Sequence, residues 1–377
     1  MINNCRVCGC RFNDEPLLKY FNMPAIAQHL PDKNSLKNDK GVDLKVVQCS
    51  GCGLVQLSSG PVSYYREVIR ATGFSSEMKT FRKKQFSDFL KKNSLKRKKI
   101  IEIGCGCGEY LSIMNQYGAK AYGIEYGANS VKKCKEIGLD VSRGFVKNDS
   151  YRIKNAPFDA FFILSFLEHL PDPGLVLRGI SNNLTDDAVG MVEVPNFDMI
   201  LKKNIFSEFM RDHLFYFSKD TLVTTLRTNG FEVLSCEAIW HDYIISAIVK
   251  KRKKNNLSFF YNQEKKIKKE IENYISCFTD KKVAIWGAGH QAFAIMSMFK
   301  LSKKIKYVID SATFKQNKYT PATHIPIVSP EKINLDPVEA IIVMSGSYSD
   351  EVAKIIREKY GKNIKVSILR DFRLEIV

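Results

Sequence analysis

The sequence lacks any long hydrophobic run. In its 377 residues no apolar stretch approaches the roughly 18 residues that a membrane-spanning helix needs. The first residues, "MINNCRVCG", are polar and lack the apolar stretch of a secretory signal. With 45% hydrophobic and 26% charged residues, the composition is typical of globular proteins. We therefore expect a cytoplasmic protein with no membrane partner, whose ten cysteines do not form disulfides.

The sequence is also poor in acidic residues and has no evident internal repeat or low-complexity tract. It contains 58 Lys and Arg against 40 Asp and Glu, a formal net charge of +18. Such an excess is common in proteins that bind nucleic acid or phosphorylated substrates. The basic runs at 96–99, 250–254 and 265–269 lie between hydrophobic segments without interleaved aromatic residues, however, which favours solvated faces and linkers.

Two matched cysteine pairs lie near the N-terminus, Cys5 and Cys8 in "CRVCG" and Cys49 and Cys52 in "CSGCG". In each Cys-x-x-Cys-Gly turn the glycine accepts backbone angles that strain other residues, so two thiolates approach one ion. Four thiolates complete a tetrahedron with no position left for water, so the pattern predicts a structural Zn²⁺ site in a small lobe. Unliganded surface cysteines are the alternative, and Cys10 is a spare thiol.

A glycine-rich turn stands in "KKIIEIGCGCGEYL" at 98–111, between an apolar strand and the start of a helix. Gly104, Gly106 and Gly108 let the backbone approach a ligand closely. Glu102 precedes them, and the pattern E-x-G-x-G-x-G resembles motif I of class I methyltransferases that use S-adenosylmethionine. Glu125 ends the next predicted strand, where an acid accepts hydrogen bonds from both ribose hydroxyls.

A buried strand followed by a loop is predicted in "FDAFFILSFLEHLPDP" at 158–173. With the preceding elements it predicts an α/β fold with a doubly wound parallel sheet and the ligand at its carboxyl edge. We expect Ser165 and Phe166 to line the methionine and adenine side. His169 follows in the loop, and His213 stands between Asp212 and an aromatic cluster, so both are candidates for proton transfer.

Four blocks of the chain resemble the three-domain sugar C-methyltransferases of deoxysugar biosynthesis. "CSGCGLVQL" at 49–57 is similar to the block that closes the family's zinc-binding domain. The motif at 102–108 and His169 match its class I methyltransferase core. "MRDHLFYFS" at 210–218 aligns with the family block Y-H-E-H-L-S-Y-F-S, and "FKQNKYTPATHIPI" at 314–327 with a block of its C-terminal Rossmann-like domain.

The resemblance implies methylation of a keto sugar carried on a nucleoside diphosphate, with S-adenosylmethionine as cofactor. It places the presumed general base at His213 and the acidic partner of that base at Asp212. Met210 and Arg211 replace a tyrosine and a histidine of the family block, and a further tyrosine is absent from "ATGFSSEM" at 71–78. The expected domains are a zinc-binding domain at 1–75, a methyltransferase domain at 76–250, a helical connector at 251–281 and a C-terminal domain at 282–377.

A second strand, glycine turn and helix follow in "KKVAIWGAGHQAFAIMSMF". Gly287, Gly289 and Ala292 satisfy G-x-G-x-x-A, and Asp310 lies where a ribose-binding acid is expected. From these residues alone the pattern predicts a dinucleotide site, so bound NAD is one interpretation. The resemblance implies instead that this domain helps to hold the nucleotide of the substrate.

Two other activities remain open at this stage. An O-methyltransferase acting on a sugar hydroxyl needs the same cofactor and a base, and the missing tyrosines favour it. A nucleic-acid methyltransferase would suit the charge and the cysteine pairs. The sequence has neither an N-P-P-Y type motif nor a Pro-Cys nucleophile motif, which disfavours nucleic acid as a partner.

Overall fold

The computed structural model describes residues 2–28, 30–67, 75–371 and 373–377. The chain forms two compact units, residues 1–253 and 254–377. Across the described ranges, no helix combines the length and apolar character required to cross a membrane.

The first unit contains eleven strands and six α-helices within the described residues. The strands are β1 (Leu18–Met23), β2 (Val42–Gln48), β3 (Val55–Leu57), β4 (Lys99–Ile103), β5 (Lys120–Glu125), β6 (Asp140–Arg143), β7 (Phe158–Leu164), β8 (Leu184–Pro195), β9 (Phe215–Tyr216), β10 (Phe231–Ile239) and β11 (Ile244–Lys251). The helices are α1 (Ser76–Lys92), α2 (Glu109–Gln116), α3 (Ala128–Glu136), α4 (Pro173–Ser181), α5 (Phe197–Lys202) and α6 (Lys219–Thr228).

The central sheet has seven strands in the order β10-β11-β8-β7-β4-β5-β6. Strands β4 to β8 run parallel to one another. Strand β11 forms a hairpin with β10 and is antiparallel to both of its neighbours, β10 and β8. Side chains of β7 alternate between two cores, with Phe161 and Ile163 on one face and Phe162 and Leu164 on the other. Helices cover both faces, which confirms the predicted doubly wound α/β fold.

The segment with the cysteine pairs forms a separate antiparallel sheet in the order β1-β2-β3-β9. Its last strand comes from the segment that contains His213, and Leu57 N–H also donates to the carbonyl of Leu214 at 2.9 Å. Cys5, Cys49 and Leu54 are buried in the same core as one face of the central sheet. The N-terminal lobe is therefore joined to the histidine segment by backbone pairing and by a shared core.

Helix starts in the first unit follow local capping chemistry. Ser75 accepts a hydrogen bond from Met78 N–H at the start of α1, and Ser218 forms a capping box with Thr221 at the start of α6. Asp172 caps α4, whose first residue is Pro173. Asp172 thus fixes where the loop containing His169 ends.

The second unit is a further α/β sheet. Its strands are β12 (Val283–Trp286), β13 (Ile305–Ile309), β14 (Lys318–Tyr319), β15 (Pro326–Val328), β16 (Ala340–Val343), β17 (Lys365–Leu369) and β18 (Leu374–Ile376), and its helices are α7 (Ser258–Ser276), α8 (His290–Met298), α9 (Lys332–Leu335) and α10 (Ser349–Tyr360). The order is β14-β15-β13-β12-β16-β17-β18, with antiparallel strands at the two edges. Helix α7 lies within the predicted connector, and Ile267 and Ile271 on it are buried in the core of this unit.

Candidate functional site

The four predicted metal-ligand cysteines come together in the structure. The sulfurs of Cys5, Cys8, Cys49 and Cys52 all lie within 4.8 Å of one another. Sγ of Cys5 is 3.7 Å from Sγ of Cys52, and Sγ of Cys8 is 3.3 Å from Sγ of Cys49. Tetrahedral Zn²⁺ with Zn–S bonds of about 2.3 Å separates its sulfurs by about 3.8 Å, so the cluster has a suitable size for this ion.

Backbone and side-chain donors surround these sulfurs. Gly51 N–H and Cys52 N–H point at Sγ of Cys49 at 3.3 and 3.4 Å, and Gln56 Nε2 donates to Sγ of Cys5 at 3.2 Å. Burial alone raises the pKa of Cys49, but hydrogen bonds from Cys52, Cys8 and Gly51 outweigh burial and lower this pKa to about 7. Gly9 and Gly53, one after each pair, adopt left-handed φ angles of 77° and 73°. At Cys49 these contacts favour the thiolate, the form that binds metal, whereas burial raises the pKa of Cys5 and Cys52.

The glycine turn joins β4 to α2 at the carboxyl end of the sheet. Gly104, Gly106 and Gly108 have φ angles of 70°, 55° and 85°, which favour glycine. A Cβ on Gly108 would lie 2.3 Å from Cδ1 of Leu139, so that glycine also permits close packing. Glu102 is fully buried within β4 beneath the turn.

A small, partly open cleft lies beside this turn. Its described lining includes the predicted residues Gly104, Glu125 and Phe166. The carboxylate of Glu125 accepts hydrogen bonds from Gly106 N–H at 3.0 Å and Gly127 N–H at 2.8 Å. Ser165 is exposed at the end of β7 with a φ of 50°.

Two further aromatic side chains and one cationic side chain of this cleft were not predicted from the sequence. Tyr126 and Phe145 line it together with Arg66, whose guanidinium lies 5.5 and 5.6 Å from the centroids of these two rings. Arg66 also donates through Nε to the hydroxyl of Tyr65 at 3.0 Å. Tyr126 could have been predicted, because it directly follows Glu125 in the sequence. Arg66 could not, because it comes from a distant segment that only the fold brings to the cleft. The faces of aromatic rings are surfaces on which a flat ring such as adenine can stack.

A buried ion pair connects α1 to the carboxyl end of β8. Nη1 of Arg82 lies 2.5 Å from Oε2 of Glu193, and both side chains are nearly inaccessible to solvent. The guanidinium also lies 4.9 Å from the ring centroid of Tyr110, the second residue of α2. The pair therefore connects three elements around the glycine turn.

The two predicted histidines also come together. The ring centroids of His169 and His213 are 4.9 Å apart, with an interplanar angle of 71°. His169 lies on a 3₁₀ turn three residues after Phe166, which lines the cleft. The carbonyl of Asp212 lies 2.8 Å from Nδ1 of His169, so Nδ1 carries the hydrogen and Nε2 has the lone pair when the ring is neutral. Burial lowers the pKa of His169, and burial together with His169 lowers that of His213 to about 3.

The carboxylate of Asp212 makes a different contact from the one expected. Its Oδ1 accepts a hydrogen bond of 2.6 Å from the hydroxyl of Tyr64. That hydroxyl in turn accepts from Ala27 N–H at 3.1 Å and from Gln28 N–H at 3.4 Å. Asp212 is thus connected to the N-terminal lobe by its carboxylate and to His169 by its carbonyl. The sequence analysis did not identify Tyr64.

A carboxyl group next to the histidines was also missed. Glu168 is 1% exposed, and its Oε1 lies 3.9 Å from Nε2 of His169. One carboxyl oxygen of Glu168 and one nitrogen from each histidine lie within 4.8 Å of one another. Burial raises the pKa of Glu168 to about 8. Glu168 directly precedes His169 in "LEHLPDP", so the same short motif could have predicted both residues.

The fingerprint residues of the second unit form their own internal network. The carboxylate of Asp310 accepts from Ala288 N–H at 2.8 Å and Ala312 N–H at 2.9 Å, and it pairs with Nζ of Lys315 at 2.9 Å. Gly287 has a φ of 115° and lies close to the carbonyl of Met344.

Four residues of the block at 71–78, namely 71–74, lie outside the described residues.

Comparison with known proteins gives matches to both units. Residues 78–236 match the family model described as a methyltransferase domain, and residues 249–367 match the model described as a C-methyltransferase C-terminal domain. The chain is 23% identical over 388 residues to C-methyltransferase NovU of Streptomyces niveus, with 93% of this chain and 91% of NovU covered.

Other matches cover less of the chain. A ubiquinone biosynthesis O-methyltransferase of Stutzerimonas stutzeri is 36% identical over 91 residues, which are 22% of this chain and 39% of that protein. Among solved structures, the PH0226 protein of Pyrococcus horikoshii OT3 aligns with a TM-score of 0.41 at 15% identity, covering 51% of this chain and 100% of that one.

Proposed function

We propose that this chain, which is an S-adenosylmethionine-dependent methyltransferase with a C-methyltransferase C-terminal domain, methylates a carbon next to the carbonyl of a nucleotide-linked keto sugar. The observation that carries the proposal is the pair of imidazoles, in which His169 lies on the segment that continues from the cleft and His213 packs against it from the segment before β9. The full-length similarity to a protein named as a C-methyltransferase supports a carbon acceptor. The sequence resemblance supports the sugar nucleotide.

The cleft beside the glycine turn has the chemistry to hold the cofactor. Glu125 would accept hydrogen bonds from the ribose, and Tyr126, Phe145 and Phe166 would contact the adenine. S-adenosylmethionine supplies an electrophilic methyl group on a sulfonium. The backbone of Gly104 and Gly106 allows the ligand to approach closely where side chains would collide.

His213 is the proposed general base. Burial lowers its pKa, so the ring is neutral at pH 7 and has a nitrogen lone pair that can take the acidic proton next to the carbonyl, although the same shift makes it a weaker base than an exposed imidazole. His169 would interact through Nε2 with the carbonyl oxygen, where negative charge develops. Asp212 acts as a positioning residue, because its carbonyl fixes the ring of His169 and its carboxylate is held by Tyr64.

A labelling experiment tests the proposal. The protein is incubated with methyl-labelled S-adenosylmethionine and a panel of 4-keto sugar nucleotides, and the label is located in the product by mass spectrometry. We expect label on the sugar in keto substrates and none in matched sugar nucleotides whose keto group is reduced to a hydroxyl. Equal labelling of the reduced sugars would contradict carbon methylation, because these lack the acidic C–H.

An O-methyltransferase acting on a sugar hydroxyl is the second candidate. The partial similarity to O-methyltransferases and the presence of Met210 in place of the family tyrosine favour it. Such a reaction also needs a base near the sulfonium, which His213 would provide. Carbon-attached methyl and methoxy groups have different NMR shifts, so the product distinguishes the two candidates.

The cysteine cluster is the proposed site of a structural Zn²⁺ ion. The four sulfurs and the surrounding N–H donors fit a closed tetrahedral site. Metal analysis of protein purified under reducing conditions should give one zinc per chain, and the Cys49→Ser variant should lose it. Absence of zinc from the wild-type protein would contradict this part of the proposal.

A further inference from the structure

Three titratable groups face each other at the candidate active centre. One carboxyl oxygen of Glu168 and one ring nitrogen from each of His169 and His213 lie within 4.8 Å of one another. Oε1 of Glu168 is 3.9 Å from Nε2 of His169, so the carboxyl is next to the ring but does not form a hydrogen bond with it in this structure. The proposed function uses both histidines but leaves the carboxyl without a role.

Glu168 is the carboxyl that faces the histidines. The carboxylate of Asp212 is directed at the hydroxyl of Tyr64, 2.6 Å away, and only the carbonyl of Asp212 contacts His169. Oε2 of Glu168 is buried and, among the described residues, has no hydrogen-bond partner. A buried carboxylate with an unpartnered oxygen is costly, whereas a neutral carboxylic acid there costs far less and carries a hydrogen to donate.

In the tautomer that His169 adopts, Nε2 carries no hydrogen and must receive a proton from another group before it can donate one. Because Nδ1–H donates to the carbonyl of Asp212, Nε2 of the neutral ring has no hydrogen to offer to a substrate oxygen. To act as a donor, Nε2 must first receive a proton. Glu168 lies beside this nitrogen, and burial keeps its pKa well above that of an ordinary carboxyl.

We propose that Glu168 is a neutral carboxylic acid that supplies the proton with which Nε2 of His169 stabilises the developing enolate oxygen. The inference rests on the proposed function. Glu168 acts through His169 and does not itself contact the substrate. This role explains why a carboxyl is buried next to two imidazoles without an ion-pair partner.

The proton balance closes over the reaction. The proton on the substrate carbon goes to His213, and its electron pair forms the enol double bond. Nε2 of His169 receives the proton of Glu168 and passes it to the carbonyl oxygen. When the enol carbon bonds to the methyl group and the carbon–sulfur bond breaks, the oxygen proton returns through His169 to Glu168. The proton on His213 then passes to solvent.

The titratable groups that face Glu168 come from three elements. His169 lies on its own turn, His213 and Asp212 lie on the segment before β9, and Tyr243 lies on the turn after β10. The hydroxyl of Tyr243 is directed at Glu208, 3.5 Å away. Glu208 is therefore a nearby carboxyl outside the proposed machinery, and Glu208→Gln serves as a matched control.

The test compares the full-length wild type with Glu168→Gln and Glu208→Gln. Glutamine has nearly the same shape as a neutral carboxyl and offers an N–H, but it cannot pass a proton on. We expect Glu168→Gln to lower deuterium exchange at the sugar carbon and kcat by at least about 100-fold, with KM little changed. In the wild type, kcat should decline above about pH 8, as Glu168 ionises, and this decline should be absent from Glu168→Gln. Glu208→Gln should behave like the wild type.

An infrared titration gives a readout that does not require turnover. The wild type should show a protonated-carboxyl band that disappears as the pH rises through about 8, and this band should be missing from Glu168→Gln at every pH. Binding of S-adenosylhomocysteine with unchanged affinity would show that the variant is folded.

Three results would overturn the inference. These are wild-type kinetics in Glu168→Gln, persistence of the high-pH decline in that variant, or a divalent ion in the wild type that is lost with Glu168 while the cysteine site stays filled. If the wild type methylates no keto sugar at all, the proposed function fails first. If the wild type is active and Glu168→Gln is equally active, only this inference is contradicted.

Discussion

The two imidazoles have different contacts, and this difference separates their proposed roles. His169 is fixed by the carbonyl of Asp212 through Nδ1, whereas the ring of His213 packs edge-on against His169. A base must move its proton to solvent after each turnover, and the low pKa of His213 favours that release. We therefore assign the general base to His213 and the proton donor to the substrate oxygen to His169.

Replacing the proposed base tests this assignment. We expect His213→Ala to reduce methylation by about 100-fold or more, because the substrate proton then has no acceptor in the site. Exchange of the sugar C–H with deuterium should be lost together with methylation. Affinity for S-adenosylhomocysteine, measured by calorimetry, should stay close to wild type. Deuterium exchange that survives in the variant would show that another group is the base.

Glu168 also predicts a pH-dependent effect on stability. Its pKa is raised from 4.5 to about 8 in the folded protein, so between these values the unfolded chain loses the proton and the folded chain keeps it. The stability contribution of this group is complete below about pH 4.5 and is lost as the pH rises towards 8. Glutamine does not ionise, so the Glu168→Gln variant should not show this loss of stability with rising pH.

The stability prediction is checked by thermal unfolding of both proteins across the pH range. The melting temperature of Glu168→Gln minus that of the wild type should be larger at pH 9 than at pH 4.5. The difference should correspond to a few kcal/mol, since each unit of pKa shift is worth about 1.4 kcal/mol. A difference that does not change with pH would mean that Glu168 titrates like an exposed carboxyl.

At the scale of elements, local sequence predicted the parts of the site that continuous segments build. The glycine turn, Glu125 and the strand that ends just before Ser165 each follow from a short pattern, because the carboxyl ends of parallel strands meet at one edge of the sheet. Tyr64 and Arg66 could not be predicted in this way. They reach the site because β3 pairs with the two-residue β9, a pairing between segments far apart in sequence.

The packing of α1 on the sheet rests on the ion pair between Arg82 and Glu193, which gives a prediction at this scale. Arg82→Met should destabilise the first unit by about 3–5 kcal/mol, because it leaves a buried carboxylate without its partner. The double variant Arg82→Met/Glu193→Met should recover much of this loss, since it removes both charges. Denaturant unfolding measures the three proteins. A double variant less stable than the single one would contradict the explanation.

For the whole molecule, the cysteine cluster and the histidine pair belong to one cooperative unit. Cys5 and Cys49 are buried in the same core as one face of the central sheet, and Leu57 bonds to the residue after His213. If the cluster holds Zn²⁺, loss of the ion should therefore affect catalysis as well as stability.

Metal removal tests that connection. We expect chelation, or the Cys49→Ser variant, to lower the melting temperature of the first unit and to reduce methylation in parallel. Restoring Zn²⁺ should recover both in the wild type and neither in the variant. Methylation that persists at the wild-type level in metal-free protein would show that the lobe does not support the site.

The account depends above all on carbon as the methyl acceptor, and one NMR measurement addresses this directly. The wild-type enzyme is mixed in D₂O with ¹³C-methyl S-adenosylmethionine and the keto sugar nucleotide that the labelling panel identifies. The account predicts a ¹³C signal of a methyl group bonded to carbon, together with deuterium at the same sugar position in unreacted substrate. A methoxy signal without deuterium incorporation would contradict it.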